Sequence, residues 1–433
     1  MSTPECGKHL VRMSSKMSKN ALSYTPAHAL RSLVATARWV VLGAISGLLA
    51  GIASFIFLEG LDRLTAFRTD RSWMLYLLPI AGLIIGLSNH RLAGRSSQGN
   101  SLLLAEIHSP TEWVPRRMAP LVLLGTWWTH AFGGSAGREG TALQMSGSLS
   151  DGVSRLLRLN ASDRSLMLTA ALAGGFGSVF GVPFAGVMFA LEIPTVGRLR
   201  YQALIPAVAS SFIGDAVVTW LGHHHPTRPS IDLSLSASTV GTLIVVGVAC
   251  GMAARVFVVA TEIVRRDGGR YITSPIIRPA LGGLAVVALA GLFGRDYLGL
   301  SLPLLDSALS GTSIAISVFA LKLLFTAVTI GTGFLGGEVT PLFVIGATLG
   351  ASVGELTGLP IGVAAAIGMV ATFGAAANTP IACTVMGLEL FGAAAITPIA
   401  IGCITAWATS GTGTIYTTQR HQLRRSSTRL QDS

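Results

Sequence analysis

Apolar stretches follow one another almost from end to end of this chain, and that pattern narrows the available folds more than any other feature. They run over roughly 39–58, 73–88, 119–132, 165–192, 203–221, 239–262, 278–293, 312–331, 340–355, 360–377, 380–392 and 395–409. Charged residues make up 12% of the 433 residues, against about 25% in soluble domains. Mean hydropathy is +0.62. A soluble chain of this composition would require a single very large core, so the chain reads as an all-α polytopic membrane protein. Several runs are shorter than the about 20 residues of a full span. Others are cut by Gly or Pro, as in 165–192. Short and interrupted segments are the mark of broken and re-entrant helices.

The formal charge of +11 is concentrated partly at the ends. Lys8, Arg12, Lys16, Lys19, Arg31 and Arg38 face a single nearby acid, Glu5, and the tail carries Arg420, Arg424, Arg425 and Arg429 against Asp432. Basic flanks stay cytoplasmic, which places both termini inside a cell (inner or plasma) membrane. Anionic lipid headgroups account for such flanks, and a nucleic-acid partner, which needs a soluble basic face, is not expected. The first apolar run begins near Arg38, late for a secretory signal peptide. Cys6, Cys250, Cys383 and Cys403 show no close spacing, so embedded thiols are expected rather than disulfides or a metal site. The loop 223–229 carries His223, His224 and His225 without a neighbouring acid or Cys, and reads as a polar connector rather than a metal site.

A weak internal repeat divides the chain. FGSVFGVPFAGVMFALE at 176–192 matches FGAAANTPIACTVMGLE at 373–389, aligning Pro183 with Pro380 and Glu192 with Glu389. GREGTALQMSG at 137–147 matches GGEVTPLFVIG at 336–346, aligning Glu139 with Glu338. Two blocks at nearly one spacing imply two related halves, roughly 36–222 and 235–418. Inverted repeats are the common membrane arrangement, with the ion site where they meet. Residues 1–35 read as a polar N-terminal segment, disordered by composition over 1–30. Residues 419–433 read as a short basic tail with no further regulatory domain.

Three glycine-rich stretches interrupt the apolar pattern: Gly99-Asn100-Ser101, 133–141 with Gly137, Arg138, Glu139 and Gly140, and 333–341 with Glu338, Val339 and Thr340. Each precedes a segment able to form a helix. A helix start exposes unpaired N–H groups and a partial positive charge. Glycine lets that backbone approach a ligand closely. Helix starts meeting at mid-membrane would bind an anion without a full positive charge, and so release it again. Tight helix packing is the competing reading of these glycines.

Glu139 and Glu338 lie inside these stretches, and an intramembrane carboxylate by default marks function. Ionised, it would occupy and block an anion site; protonated, it would swing away and carry a proton. The alternative is a carboxylate capping its own helix start. Arg138 would pair with either glutamate or face water. Glu192 and Glu389 end their helical runs, which suggests a role at a helix end or a subunit interface. Tyr416 would donate a hydrogen bond to an anion or belong to an interfacial belt.

Taken together these residues resemble the CLC family of chloride channels and anion–proton exchangers, over roughly 40–418. GREGT at 137–141 looks like the family's gating-glutamate motif, Gly99-Asn100-Ser101 like its first anion-binding loop, Val339 with Pro341 like its Gly-x-Phe-x-Pro loop, and Tyr416 like its central pore tyrosine. The resemblance implies two inverted halves of broken helices and a homodimer with one pore per subunit. It implies neither an enzyme nor any cofactor or metal.

The departures are informative. Asn100 stands where chloride-selective members carry Ser, Thr141 where the gating motif ends in Pro, Val339 where Phe is usual, and Ile193 where chloride exchangers carry an internal proton-transfer glutamate. GREGT with GGEVTP is most similar to the fluoride-exporting CLC-F branch. This implies a fluoride/proton antiporter, with a chloride channel or chloride/proton exchanger as the alternative. In that reading Glu139, Glu338 and Thr340 handle gating and protons. Gly99, Asn100, Ser101, Gly137, Arg138, Gly140, Val339 and Tyr416 line the anion path. Fluoride is small and tightly hydrated, and an Asn amide offers two N–H donors where Ser offers one O–H.

Overall fold

The computed structural model describes residues 26–421 of the chain. Helix α1 spans Pro26–Asp70, α2 Leu78–Ser88, α3 Asn100–His108, α4 Met118–Ala131, α5 Glu139–Leu156, α6 Ala161–Phe180, α7 Pro183–Glu192 and α8 Leu204–Trp220. After the 222–236 loop come α9 Ala237–Tyr271, α10 Ile277–Phe293, α11 Leu302–Leu309, α12 Ser317–Gly331, α13 Val339–Thr357, α14 Ile361–Ala377, α15 Pro380–Phe391 and α16 Ile396–Thr409. Among the described residues, 5 helical stretches are long and apolar enough to cross a membrane. The remainder include short apolar helices such as α7, α12, α14 and α15, the broken pattern expected of the sequence.

The run 165–192 is not one helix. Gly181 takes the left-handed conformation at φ +70°, and α7 restarts with Pro183 in its first turn. The second half repeats the device: Asn378 at φ +55° ends α14 and Pro380 opens α15. Left-handed φ favours Gly and Asn, and Pro suits a helix start, so both breaks are encoded locally.

The repeat is inverted, and hydrogen bonds show it. Glu192 at the end of α7 accepts from the N–H groups of Ile381 and Ala382 at 3.2 and 2.7 Å, at the start of α15. Glu389 on the last turn of α15 accepts from Phe184 and Ala185 at 2.8 and 2.7 Å, at the start of α7. Each carboxylate satisfies the orphan donors of the other helix. Matched segments that bond reciprocally and head to tail are related by a two-fold axis. These glutamates thus act at helix ends, within one chain. Phe176 and Phe373, also repeat partners, stack with centroids 6.0 Å apart in the core.

A buried ion cluster fixes α3. Arg164 donates to Asp151 Oδ1 at 2.6 Å and to Glu106 Oε2 at 3.0 Å, so α6 grips the end of α3 opposite Asn100.

Several boundaries differ from the sequence expectation. Helix α1 begins at Pro26, inside the segment expected to be polar and separate. Its first turns are rich in Ala, Leu and Arg, which favour helix, while His28, Arg31, Ser32 and Arg38 keep the hydropathy low. Residues 1–25, with Cys6 and most of the basic flank, lie outside the described residues. The transport fold also reaches past residue 418. Gln419 is buried and donates through Nε2 to the carbonyls of Ile193 and Ala377 at 2.9 and 3.0 Å. Arg420–His421 then pairs in parallel with Thr195–Val196. The remaining tail, 422–433, lies outside the described residues. Helix α11 has no counterpart among the apolar runs, being a two-turn amphipathic piece too short to register in a hydropathy scan.

Candidate functional site

Each glycine-rich stretch delivers the start of a helix: α3 begins at Asn100, α5 at Glu139 and α13 at Val339. Gly137 and Gly337 form an isolated antiparallel bridge. The Gly137 N–H donates to the Gly337 carbonyl at 2.6 Å, and the Gly337 N–H donates back at 2.8 Å. This clamps the starts of α5 and α13 against each other. The bridge also corrects the repeat alignment by one residue. With Gly137 matched to Gly337, Gly133 falls on Gly333, both of the latter at positive φ of 90° and 106°, and the helix starts at Glu139 and Val339 coincide. Glu139 is therefore the counterpart of Val339, and Arg138 that of Glu338.

The Glu139 side chain is buried and lies across this junction. Its Oε1 accepts from the Val339 N–H at 2.5 Å. Its Oε2 accepts from the Thr340 N–H at 3.2 Å, the Thr340 hydroxyl at 3.0 Å and the Arg138 N–H at 3.0 Å. The carboxylate caps α13 of the other repeat rather than the first turn of its own helix. It occupies a cluster of N–H donors at a helix start, a seat suited to any small anion. Gly337 is what leaves room: a Cβ there would fall 2.0 Å from Glu139 Oε1. Asn100 Nδ2 approaches the same junction, 3.3 Å from where a Cβ on Gly140 would stand. Residues 99–101, 137–140 and 337–340 thus converge as expected.

Tyr416 is 3% exposed, with its ring 6.2 Å from that of Phe189. It is a core residue, which removes the interfacial-belt reading. Its neighbours hold it beside α3: Ser101 Oγ shares a hydrogen bond with Thr417 Oγ1 at 2.9 Å, and the Thr418 hydroxyl donates to the Ser101 carbonyl at 3.0 Å. Gly99, Asn100, Ser101 and Glu338 line a cavity of about 770 Å³ that Arg265 and Arg278 also line.

Arg138 does not make the ion pair that was one of its two expected roles, and it is partly exposed. Among the described residues its guanidinium pairs with neither glutamate, lying instead 5.7 Å from the Phe180 ring centroid, with Nε buried and unbonded. The partner of Glu338 is Arg265, Nη2 to Oε1 at 3.8 Å. Sequence reasoning did not single out Arg265, a charge near the polar end of a long helix, where charges are ordinary. It also missed Thr126, whose hydroxyl lies 2.6 Å from that of Thr141. Thr141, standing where the resemblance led one to expect Pro, was the available signal. Lys322 escaped too, a lone cation in the apolar run 312–331. It is fully buried, and its ammonium donates to Ser135 Oγ, Ser301 Oγ and the carbonyls of Gly299 and Tyr297 at 2.8–3.2 Å.

Comparisons with known proteins agree with this geometry. The family model for the voltage gated chloride channel matches residues 81–411. A chloride/fluoride channel protein of Pseudomonas syringae pv. tomato is 40% identical over 393 residues, covering 89% of this chain and 86% of that one. An H(+)/Cl(-) exchange transporter of Yersinia pestis is 24% identical over 387 residues, covering 81% of this chain and 80% of its own. The solved structure of a CLC-type fluoride/proton antiporter superposes with a TM-score of 0.87 at 33% identity, covering 89% of this chain and 98% of that chain. A slow cyanobacterial Cl-/H+ antiporter shares the fold with a TM-score of 0.77 at 19% identity. The match over residues 81–411 and the 40% identity show that this chain belongs to the voltage gated chloride channel (CLC) family and is a multi-pass membrane protein of anion transport, not an enzyme.

Proposed function

We propose that this chain is a fluoride/proton antiporter that exports fluoride. The observation that carries the reading is the Glu139 carboxylate seated on the Val339 and Thr340 amides at 2.5 and 3.2 Å. An anion and an ionised carboxylate compete for those donors. Protonation turns the carboxylate into a weaker acceptor with a donor of its own, and the seat becomes free for fluoride. Cycling between the two forms exchanges an outgoing anion for an incoming proton. Asn100, whose Nδ2 approaches Gly140 from the cavity side, supplies amide N–H donors to the dehydrated ion. Thr340 steadies the seat through its hydroxyl, and Glu338, facing the large cavity with Arg265, passes protons toward Glu139. Gly99, Ser101, Gly137, Arg138, Gly140, Val339 and Tyr416 shape the path. The 33% identity to a CLC-type fluoride/proton antiporter supports this assignment.

The transport domain in this reading is the expected 36–418 widened to 26–421 by the start of α1 and the Arg420–His421 pairing, with repeats roughly 36–222 and 235–418. The basic flanks keep both termini in the cytoplasm of a cell membrane, in contact with anionic lipid. A homodimer, one path per subunit, buries part of the apolar outer surface on which Phe184, Ile381 and Ile404 are 58, 46 and 58% exposed.

Chloride transport is the second reading, favoured by the name of the Pseudomonas relative, a chloride/fluoride channel protein, and by Ser101 beside Asn100. Proteoliposomes loaded with fluoride or chloride, read with ion-selective electrodes under a proton gradient, decide between them. Fluoride efflux well above chloride efflux, driven by the proton gradient, supports antiport of fluoride. Equal fluxes, or fluxes indifferent to protons, contradict it.

A further inference from the structure

A second, much smaller cavity, about 40 Å³, lies against Thr340 and is distinct from the large cavity that holds Asn100 and Glu338. Arg138, Arg228, Phe180, Pro226 and Leu302 stand around it with Thr340, and no carboxylate lines it. Arg138 Nε is buried without a hydrogen-bond partner. Arg228 is held in place through Nη1, which donates to Asp306 Oδ1 at 2.5 Å. Arg228 and Pro226 come from the loop that follows the three histidines, a segment otherwise without a role. That loop is pinned at its start: His225 packs on Gly181, and His223 Nδ1 lies 3.9 Å from Asp62 Oδ2.

Two guanidinium groups in a mostly apolar chamber ask for an anion. Arg228 is paired with Asp306, and the carboxylates near Arg138 are Asp62 and Glu139, but the buried Arg138 Nε still lacks an acceptor, which costs free energy that a bound anion would recover. The volume admits an ion the size of one or two waters, which take about 30 Å³ each in the liquid. Thr340 forms part of both places, since its hydroxyl donates to Glu139 at 3.0 Å.

We propose that this chamber is a second binding site for a small monovalent anion, formed by Arg138 and Arg228, on the opposite side of the Glu139 seat from Asn100. An ion displaced from the seat passes Thr340 and waits there before leaving beneath the 222–236 loop. Guanidinium is weakly hydrated and gives its hydrogen bonds in a fixed fork. Asp306 offsets part of the charge of Arg228, so the site binds without trapping. The inference rests on Glu139 marking the anion path.

The test uses full-length protein in right-side-out and inside-out membrane vesicles, with whichever halide, fluoride or chloride, the wild type moves. Halide uptake is measured against external concentration. Arg228→Gln raises the half-saturating concentration at least threefold in one vesicle orientation only, and Arg228→Lys restores most of it. Asp306→Asn, which removes the partner but keeps the cation, leaves that concentration unchanged or lowers it. The proposal is overturned if Arg228→Gln changes nothing, if it acts equally in both orientations, or if Asp306→Asn reproduces its effect. The last outcome would make the ion pair a structural tie. Wild-type selectivity in the same vesicles is read separately, so a failure of the fluoride assignment is not confused with a failure of the chamber.

Discussion

Gly137 and Gly337 hold the two repeats together by exchanging backbone hydrogen bonds at 2.6 and 2.8 Å, and the Glu139 carboxylate rests directly against the second of them. A side chain on Gly337 has nowhere to go except into that carboxylate or the Gly140 amide, 2.0 and 2.8 Å from an added Cβ. Gly337→Ala is therefore expected to push Glu139 off its seat while the protein still folds. The readout is anion leak without proton movement in vesicles, with at least a tenfold loss of coupling. Unchanged coupling would mean that the seat tolerates a methyl group, against this geometry.

In the proposed reading, Asn100 is the side chain that most separates this site from one suited to chloride. Asn100→Ser removes an amide donor from the path, and a hydrogen bond to a charged group is worth about 1.5–3 kcal/mol. The ratio of fluoride to chloride flux should fall by about tenfold or more, measured with paired electrodes on the same vesicles. An unchanged ratio assigns selectivity elsewhere.

Glu192 and Glu389 are expected to matter for folding and not for proton exchange. Their carboxylates satisfy two amides each at the starts of α15 and α7. Glu192→Ala and Glu389→Ala should each lower stability by about 2 kcal/mol and lower the melting temperature in detergent by several degrees. The purified protein that remains should transport with normal coupling. A coupling defect in Glu192→Ala without a fall in melting temperature would give Glu192 a transport role instead.

Lys322 offers a second structural test. Four oxygen atoms receive its ammonium within 2.8–3.2 Å, so Lys322→Ala takes the donor from the Tyr297 and Gly299 carbonyls, while the Ser135 hydroxyl keeps its partner Thr326. Each orphaned buried acceptor costs about 1–3 kcal/mol. A large drop in melting temperature, beyond that of either glutamate variant, is the expected result. A melting temperature within 2 °C of wild type would show that water replaces the ammonium.

The sequence was informative where chemistry is local. Glycines before helix starts, Pro183 and Pro380 opening short helices, and glutamates in apolar surroundings each encode their geometry within a few residues. From these the two related halves and the meeting of residues 99–101, 137–140 and 337–340 could be anticipated, whereas the inversion of the second half was implied only by the family resemblance. What stayed hidden depends on contacts between distant segments. The one-residue shift that pairs Glu139 with Val339 rather than Glu338 comes from the reciprocal glycine bridge, and similarity of letters favours matching glutamate to glutamate. Arg265, Thr126 and Arg228 are ordinary in their own sequence surroundings and gain meaning only beside Glu338, Thr141 and Arg138. The start of α1 at Pro26 was missed because hydropathy does not report helix propensity.

The central claim is that one carboxylate and the transported anion compete for the amides of Val339 and Thr340. The most direct measurement is the number of protons moved per fluoride in proteoliposomes, for wild type and Glu139→Gln, with a pH electrode and a fluoride electrode read together. A glutamine cannot carry a proton, so the account predicts coupled movement in the wild type and fluoride movement with no proton flux in the variant. Full coupling in Glu139→Gln would contradict it.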